Sequence, residues 1–157
     1  MRRRYPRRAR GLTFGKTMKT MIWIKDMHPA GFLAVDLRHV LAALGQDAVT
    51  SEWLAHDVWA TGKGFAAFEG LPKGKLISGE RLVALANDAD QVIDGKFFGF
   101  RDGAVEPWIR IFADDSSLYE VETDDDAAKE RILKSFKNTE MRKPNTASHG
   151  TSLPRRP

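Results

Sequence analysis

Trp108-Ile109-Arg110-Ile111-Phe112-Ala113, then Asp114-Asp115-Ser116-Ser117, then Leu118-Tyr119-Glu120-Val121-Glu122-Thr123, is the run whose reading decides the fold. It reads as strand, tight loop, strand, and a helix-like segment follows from Asp124 to Phe136. Successive side chains of a strand point to opposite sides. Ile109, Ile111 and Ala113 therefore share one face of the first strand, and Tyr119, Val121 and Thr123 one face of the second. The opposite faces carry Trp108, Arg110 and Phe112, and Leu118, Glu120 and Glu122. Cross-strand partners must lie on the same side of the sheet. Ile111 opposite Val121, Ala113 opposite Tyr119, and Arg110 opposite Glu122 as an ion pair on the outer face meet that condition. A slip of one residue sets Ile111 against Glu120. The spacing predicts an odd-length loop of about three or five residues centred on Ser116.

Asp and Ser side chains accept bonds from nearby backbone N–H groups, so a self-capping turn accounts for Asp114 to Ser117 without a metal or a nucleophile. Thr123, Asp124 or Asp125 can cap the next helix, where acids satisfy free N–H groups and oppose the macrodipole. Ala128, Ile132, Leu133 and Phe136 fall at helical spacing, and this stripe is expected to pack on the Ile109/Ile111/Val121 face.

The charge distribution narrows the function. The chain of 157 residues has a formal net charge of +4, but residues 1–20 hold eight Arg and Lys and no acid, and residues 137–157 carry a net four positive charges. Removing both contributions leaves residues 21–136 at −8. Between Asp114 and Asp126 stand seven acids and no base. Such a surface repels a phosphate backbone and attracts a basic partner. The chain has no cysteine, which excludes disulfides and Cys-ligated zinc. No apolar run approaches the roughly 18 residues of a membrane span. A cytoplasmic protein is expected.

Residues 1–20 lack apolar periodicity and read as a disordered basic arm. No apolar stretch follows the arginines, so the arm is not a secretory signal. It could contact nucleic acid through Arg2 to Arg10; a duller reading starts translation at Met18 or Met21. Met21 to Lys25 reads as a short strand. Asp36 can cap a helix with Leu37, Val40, Leu41 and Leu44 on its buried stripe, and Gly45 ends it. His39 lies off that stripe and reads as a solvated histidine. Ser51 to Gly64 reads as a strand through about Val58 to Ala60. His56 and Asp57, as neighbours on a strand, should face apart and form no dyad. Phe65 to Lys75 reads as a loop with a short helical piece. Ser78 caps a further helix with Leu82, Leu85, Ala86 and Ala89 inside. Gln91 to Arg101 returns to strand, with Asp94-Gly95 as either a hairpin turn or a bulge in one longer strand. Residues 91–123 thus read as an antiparallel meander. Beyond Lys137 the chain turns polar and is expected to be disordered.

No catalytic signature is present. His28, His39, His56 and His149 are scattered without metal-ligand spacing, and Asp124-Asp125-Asp126 lacks the pattern of a calcium loop. The serines stand in no GxSxG or SxxK pattern. Gly62-Lys63-Gly64 lacks the spacing of a phosphate loop. No cofactor and no metal are expected.

The sequence predicts a single α+β domain over residues 21–137, flanked by disordered segments 1–20 and 138–157. An antiparallel sheet of four to five strands would pack with about three helices, Leu37–Leu44, Gly79–Asp88 and Asp126–Phe136. The expected function is a non-enzymatic protein-interaction module, possible as an inhibitor or immunity-type protein toward a basic protein partner. Its face would comprise Trp108, Arg110, Phe112, Asp114, Asp115, Glu120 and Glu122. The alternatives are a small hydrolase or nucleotide-handling enzyme in which Asp114, Asp115 and His56 meet in a cleft, and nucleic-acid contact through the arm.

Overall fold

The computed structural model describes Met18 and residues 20–143. Most of the expected arm, and the tail from Pro144 with His149, lie outside the described residues. Seven strands, β1 (Met21–Ile24), β2 (Glu52–Thr61), β3 (Ile77–Ser78), β4 (Gln91–Phe100), β5 (Ile109–Asp114), β6 (Leu118–Thr123) and β7 (Thr139–Arg142), form one sheet. Its order is β3-β2-β4-β5-β6-β1-β7, and every pairing is antiparallel. Five helices, α1 (Leu37–Leu44), α2 (Gln46–Thr50), α3 (Lys63–Glu69), α4 (Gly79–Asp88) and α5 (Asp126–Ser135), intervene. The buried hydrophobic residues of all five join a single core with Ile22, Ile24, Trp53, Val92, Phe97, Ile109, Ile111, Tyr119 and Val121. The helices therefore all lie on one face of the sheet.

The α+β class and the antiparallel meander agree with the sequence reading, whereas the counts of four to five strands and about three helices do not. The hairpin has the predicted register, with Ile111 opposite Val121, Ala113 opposite Tyr119 and Arg110 opposite Glu122. Its loop, Asp115 to Ser117, is centred on Ser116. Asp115 and Ser116 take positive φ, 43° and 55°, and the neighbouring β4 steadies them. The Asp115 N–H donates to Asp94 Oδ1 at 2.8 Å, and the Ser116 N–H to the Ile93 carbonyl at 3.1 Å. Gln91 to Phe100 is one strand rather than a hairpin. Its pairing with β2 shifts twice: Asp57 and Val58 face only Gly95 between the pairs His56–Lys96 and Trp59–Asp94, and Ile93 is the extra residue on β4 between Trp59–Asp94 and Ala60–Val92.

The additional elements are short or polar. Strand β3 has two residues, too few to show alternation. Helix α2 follows Gly45 directly (φ 62°), and the first turn of α4 packs on its end so closely that a Cβ on Gly79 would collide with the carbonyls of Ala48 and Val49. Strand β7 takes regular structure past the expected boundary at residue 137. Asp26 sets its course: its carboxylate accepts the N–H groups of Lys137 at 2.9 Å and Asn138 at 2.6 Å. Once aligned, Thr139 to Arg142 pair with β1 through the backbone. Arg142 covers the Trp23 ring at 3.5 Å.

Two cap expectations are refined. Asp125 caps α5, accepting the Ala128 N–H at 2.8 Å; Ala128, Ile132 and Phe136 are buried there, but Leu133 is exposed. His39 is not merely solvated, because its Nδ1 accepts the Asp36 N–H at 2.8 Å at the start of α1. The Asp36 side chain turns inward. Its Oδ1 accepts the Val92 N–H at 2.8 Å and lies 3.2 Å from the Tyr119 hydroxyl. Burial pushes the Asp36 carboxyl above the usual carboxylate range. Burial, together with the negative charge of Asp36, pushes the Tyr119 hydroxyl well above its ordinary value.

Candidate functional site: the helix-free face of the sheet

The strand registers place two rows of side chains on the face away from the helices. One row runs Leu54, Phe98, Arg110, Glu122, Met21, Arg142, and the next His56, Lys96, Phe112, Glu120, Trp23, Glu140. Carboxylates, cations and aromatic rings thus alternate across the strands. Phe98 and Phe112 meet edge to face with ring centroids 6.1 Å apart. With Leu54 and Phe100 they form a second apolar cluster, against which Leu76 packs. Beside it the Arg110 guanidinium holds the Glu122 carboxylate at 3.1 Å.

None of the described helices lies over this face, and yet its centre is shielded from water. Phe98 is 3%, Glu120 5%, Glu122 6%, and Arg110 and Phe112 each 8% exposed. Burying charge is costly unless it is paired. Arg110 and Glu122 form such a pair, and Glu120 is also engaged. Towards the margins the exposure rises: Trp23, His56 and Lys96 are half-buried, and Glu140 and Arg142 exposed.

The expected interaction residues divide into three groups. Arg110, Phe112, Glu120 and Glu122 adjoin one another at the centre of this face. Asp114 and Asp115 lie exposed at the hairpin loop. Trp108 lies at the other end of the hairpin, where its Nε1 donates to Ser51 Oγ at 2.9 Å and the Arg101 guanidinium stacks on its ring at 4.5 Å. Arg101 also binds Asp125 at 2.6 Å, and this hydrogen bond pulls the Asp125 carboxyl below its ordinary value. Met18, Arg101, Glu106, Pro107, Trp108, Asp124 and Asp125 line a shallow concavity there. The acids from Asp114 to Asp126 are therefore spread over a loop, a buried centre and a helix cap.

Sequence reasoning missed Leu54, Phe98, Lys96 and Trp23. The signal was present in the alternation from Lys96 to Phe100, whose even-numbered residues follow the face of Phe112. Before the register shift at Ile93 the alternation is reversed, and Val92 joins the core under the helices.

The enzymatic arrangement is not assembled. His56 and Asp114 both face outward, but β4 separates their strands, and Asp114 lies two positions along β5 from the residue level with His56. With strands about 4.8 Å apart and a rise of about 3.4 Å per residue, the backbones stand on the order of 12 Å apart. One expectation is overturned nearby: His56 Nδ1 and Asp57 Oδ2 do approach, to 2.9 Å. The bulge in β2 breaks the alternation, and Asp57 adopts φ 50°. The contact has ion-pair distance without hydrogen-bond alignment, and Asp57 is exposed. Among the described residues no group of three or more His, Cys, Asp or Glu could hold a metal ion. No protein-family model matches the chain, and neither a curated protein nor a solved structure matches it.

Proposed function

We propose that this protein is a non-enzymatic interaction module that binds a basic, aromatic- or arginine-bearing protein segment on the helix-free face of its sheet. The observation that carries the reading is the lattice of Phe98, Phe112, Glu120 and Glu122, shielded from water, with half-buried Trp23 beside it, on a face over which no described helix lies. Guanidinium groups stack on aromatic faces and bind carboxylates in a planar fork, so alternating rings and carboxylates suit Arg better than any other side chain. The exposed acids Asp114 and Asp115 would steer the encounter and add little to affinity. No described helix is long and apolar enough to cross a membrane. The absence of cysteine is compatible with a reducing compartment such as the cytoplasm, the location this reading proposes.

A panel of fluorescent Arg-rich peptides, titrated by anisotropy against the full chain, tests this reading. Binding should weaken at least about tenfold in the double variant Phe112→Ala/Glu120→Gln, and by less than about threefold in Asp114→Asn/Asp115→Asn. Equal losses in both variants, or no binding to the parent chain, would overturn it.

A further inference from the structure

We propose that strand β7 docks a second copy of this chain: two β7 strands pair antiparallel about a two-fold axis at Met141 and join the two sheets. The pairing needs no ligand on the helix-free face and stands apart from the function proposed for that face. Three observations point to a second copy as the occupant of this edge.

The first is the edge itself. Among the described residues β7 ends the sheet, with β1 on one side and no strand on the other. Its pairs with β1 run in unbroken register from Ile24–Thr139 to Met21–Arg142, and Asn138 to Lys143 contains neither glycine nor proline. A regular edge of this kind is a template for another strand. The opposite margin of the sheet is blunted. There β3 covers only Glu52 and Trp53 of β2. Beyond them Asp57, exposed and at φ 50°, sits in a bulge.

The second is the direction of the backbone groups. The Lys25 N–H donates to the Asn138 carbonyl at 2.9 Å, and bonded pairs recur at every second residue of an antiparallel ladder. Glu140 and Arg142 therefore turn their N–H and C=O groups to β1, while Thr139, Met141 and Lys143 turn theirs outward. With Met141 opposite Met141 of the second copy, Thr139 falls opposite Lys143. Every outward position then exchanges both its N–H and its C=O bond across the axis. The Met141 side chain, 55% exposed in the single chain, meets its counterpart on the helix side of the sheet.

The third is charge. On the helix-free side the same register sets Glu140 opposite Arg142 of the second copy, and Arg142 opposite its Glu140. Within one chain Arg142 Nη2 already holds Glu140 Oε1 at 3.0 Å, with both side chains exposed. Each carboxylate therefore lies between two guanidinium groups in the dimer. Moving the axis by one residue along β7 is unfavourable in either direction. At Glu140 it opposes two carboxylates, and at Arg142 two guanidinium groups, and like charges directly opposite destabilise a strand pair. Charge thus selects the register at Met141. A strand this short buries less than the roughly 1,200 Å² of a standard interface, so the dimer assembles and dissociates with concentration.

Sedimentation velocity on the full chain, from micromolar to submillimolar concentration, reads the association. The parent should pass from monomer to dimer. Glu140→Arg and Arg142→Glu each oppose like charges twice across the axis, so each alone should weaken association at least about tenfold. An equimolar mixture of these two variants restores opposite charges at both positions and should associate within about threefold of the parent. The swap Glu140→Arg/Arg142→Glu, which also keeps a pair within the strand, should behave as the parent does. Amide exchange reports the edge: Met141 should gain protection with concentration, and Asp57 and Val58 on the opposite margin should not. A parent that stays monomeric, single variants as tight as the parent, a mixture no better than its components, or protection gained at Asp57 and Val58 instead of Met141 would each rule out this pairing.

Discussion

The two faces of the sheet are built from the same strands and solve different problems. Beneath the helices, Ile22, Ile24, Phe97, Ile109, Ile111 and Val121 are fully buried among other hydrocarbons. On the opposite side of those strands stand Trp23, Phe98, Arg110, Phe112, Glu120 and Glu122. In β5 consecutive residues from Ile109 to Ala113 are all buried, yet odd positions meet apolar groups and even positions include a charge. The covered face gains stability from area removed from water, about 25 cal/mol per Å². On the helix-free face the gain depends on pairing, because a buried charge is favourable only with its partner. Loss of area and loss of pairing have different signatures in mutants.

The largest effects belong on the covered face. Trp53 is fully buried, and its Nε1 donates to the Ala48 carbonyl at 2.9 Å. Trp53→Ala should cost about 3–5 kcal/mol in chemical denaturation through the cavity and the abandoned carbonyl. Gly79→Ala should cost roughly 2–4 kcal/mol, because the added methyl group meets backbone atoms of Ala48 and Val49 that cannot rotate away. A loss under about 1 kcal/mol for either would mean that the helical layer does not pack on the sheet as described.

On the helix-free face, single and paired substitutions should part company. Glu122→Gln leaves the Arg110 guanidinium buried without its carboxylate and should cost about 3 kcal/mol. The double variant Arg110→Met/Glu122→Leu should come within about 1 kcal/mol of the parent. Additive losses in this cycle would mean that the pair contributes area and no coupling, which would erase the distinction between the faces.

How legible this was in the sequence depends on where each side chain's reason for being there lies. The hairpin from Ile109 to Thr123 carries its reason locally: alternation fixes which residues pair, and Asp114 to Ser117 supply the turn. The helices Leu37–Leu44 and Gly79–Asp88 show caps and apolar spacing within their own spans. Strand β7 has no such signal. Thr139 to Arg142 are held by an edge of β1 and by Asp26, more than a hundred positions earlier. The same applies to the candidate site. Arg110 and Glu122 could be paired from one hairpin, but Phe98 and Leu54 join them only through strand order. The approach of His56 to Asp57 depends on a bulge that Gly95 of another strand defines.

The smallest predicted effect compares two carboxylates with opposite shifts. Asp36, buried beside Tyr119, has its pKa raised in the folded state. Folding then binds protons above the ordinary carboxylate value, so stability falls as pH rises from that value through the folded pKa. Asp125, held by Arg101, has its pKa lowered. Its contribution is complete above the ordinary value and is lost as pH falls through the folded pKa. The two windows meet near the unfolded value of 3.8 and do not overlap. In urea titrations across pH 2–7, Asp36→Asn should flatten the slope only above that point, and Asp125→Asn only below it. The hydrogen bond from Tyr119 lowers the Asp36 pKa. Tyr119→Phe should therefore push the Asp36 window to higher pH, whereas a window that stayed in place would remove the hydroxyl as its partner.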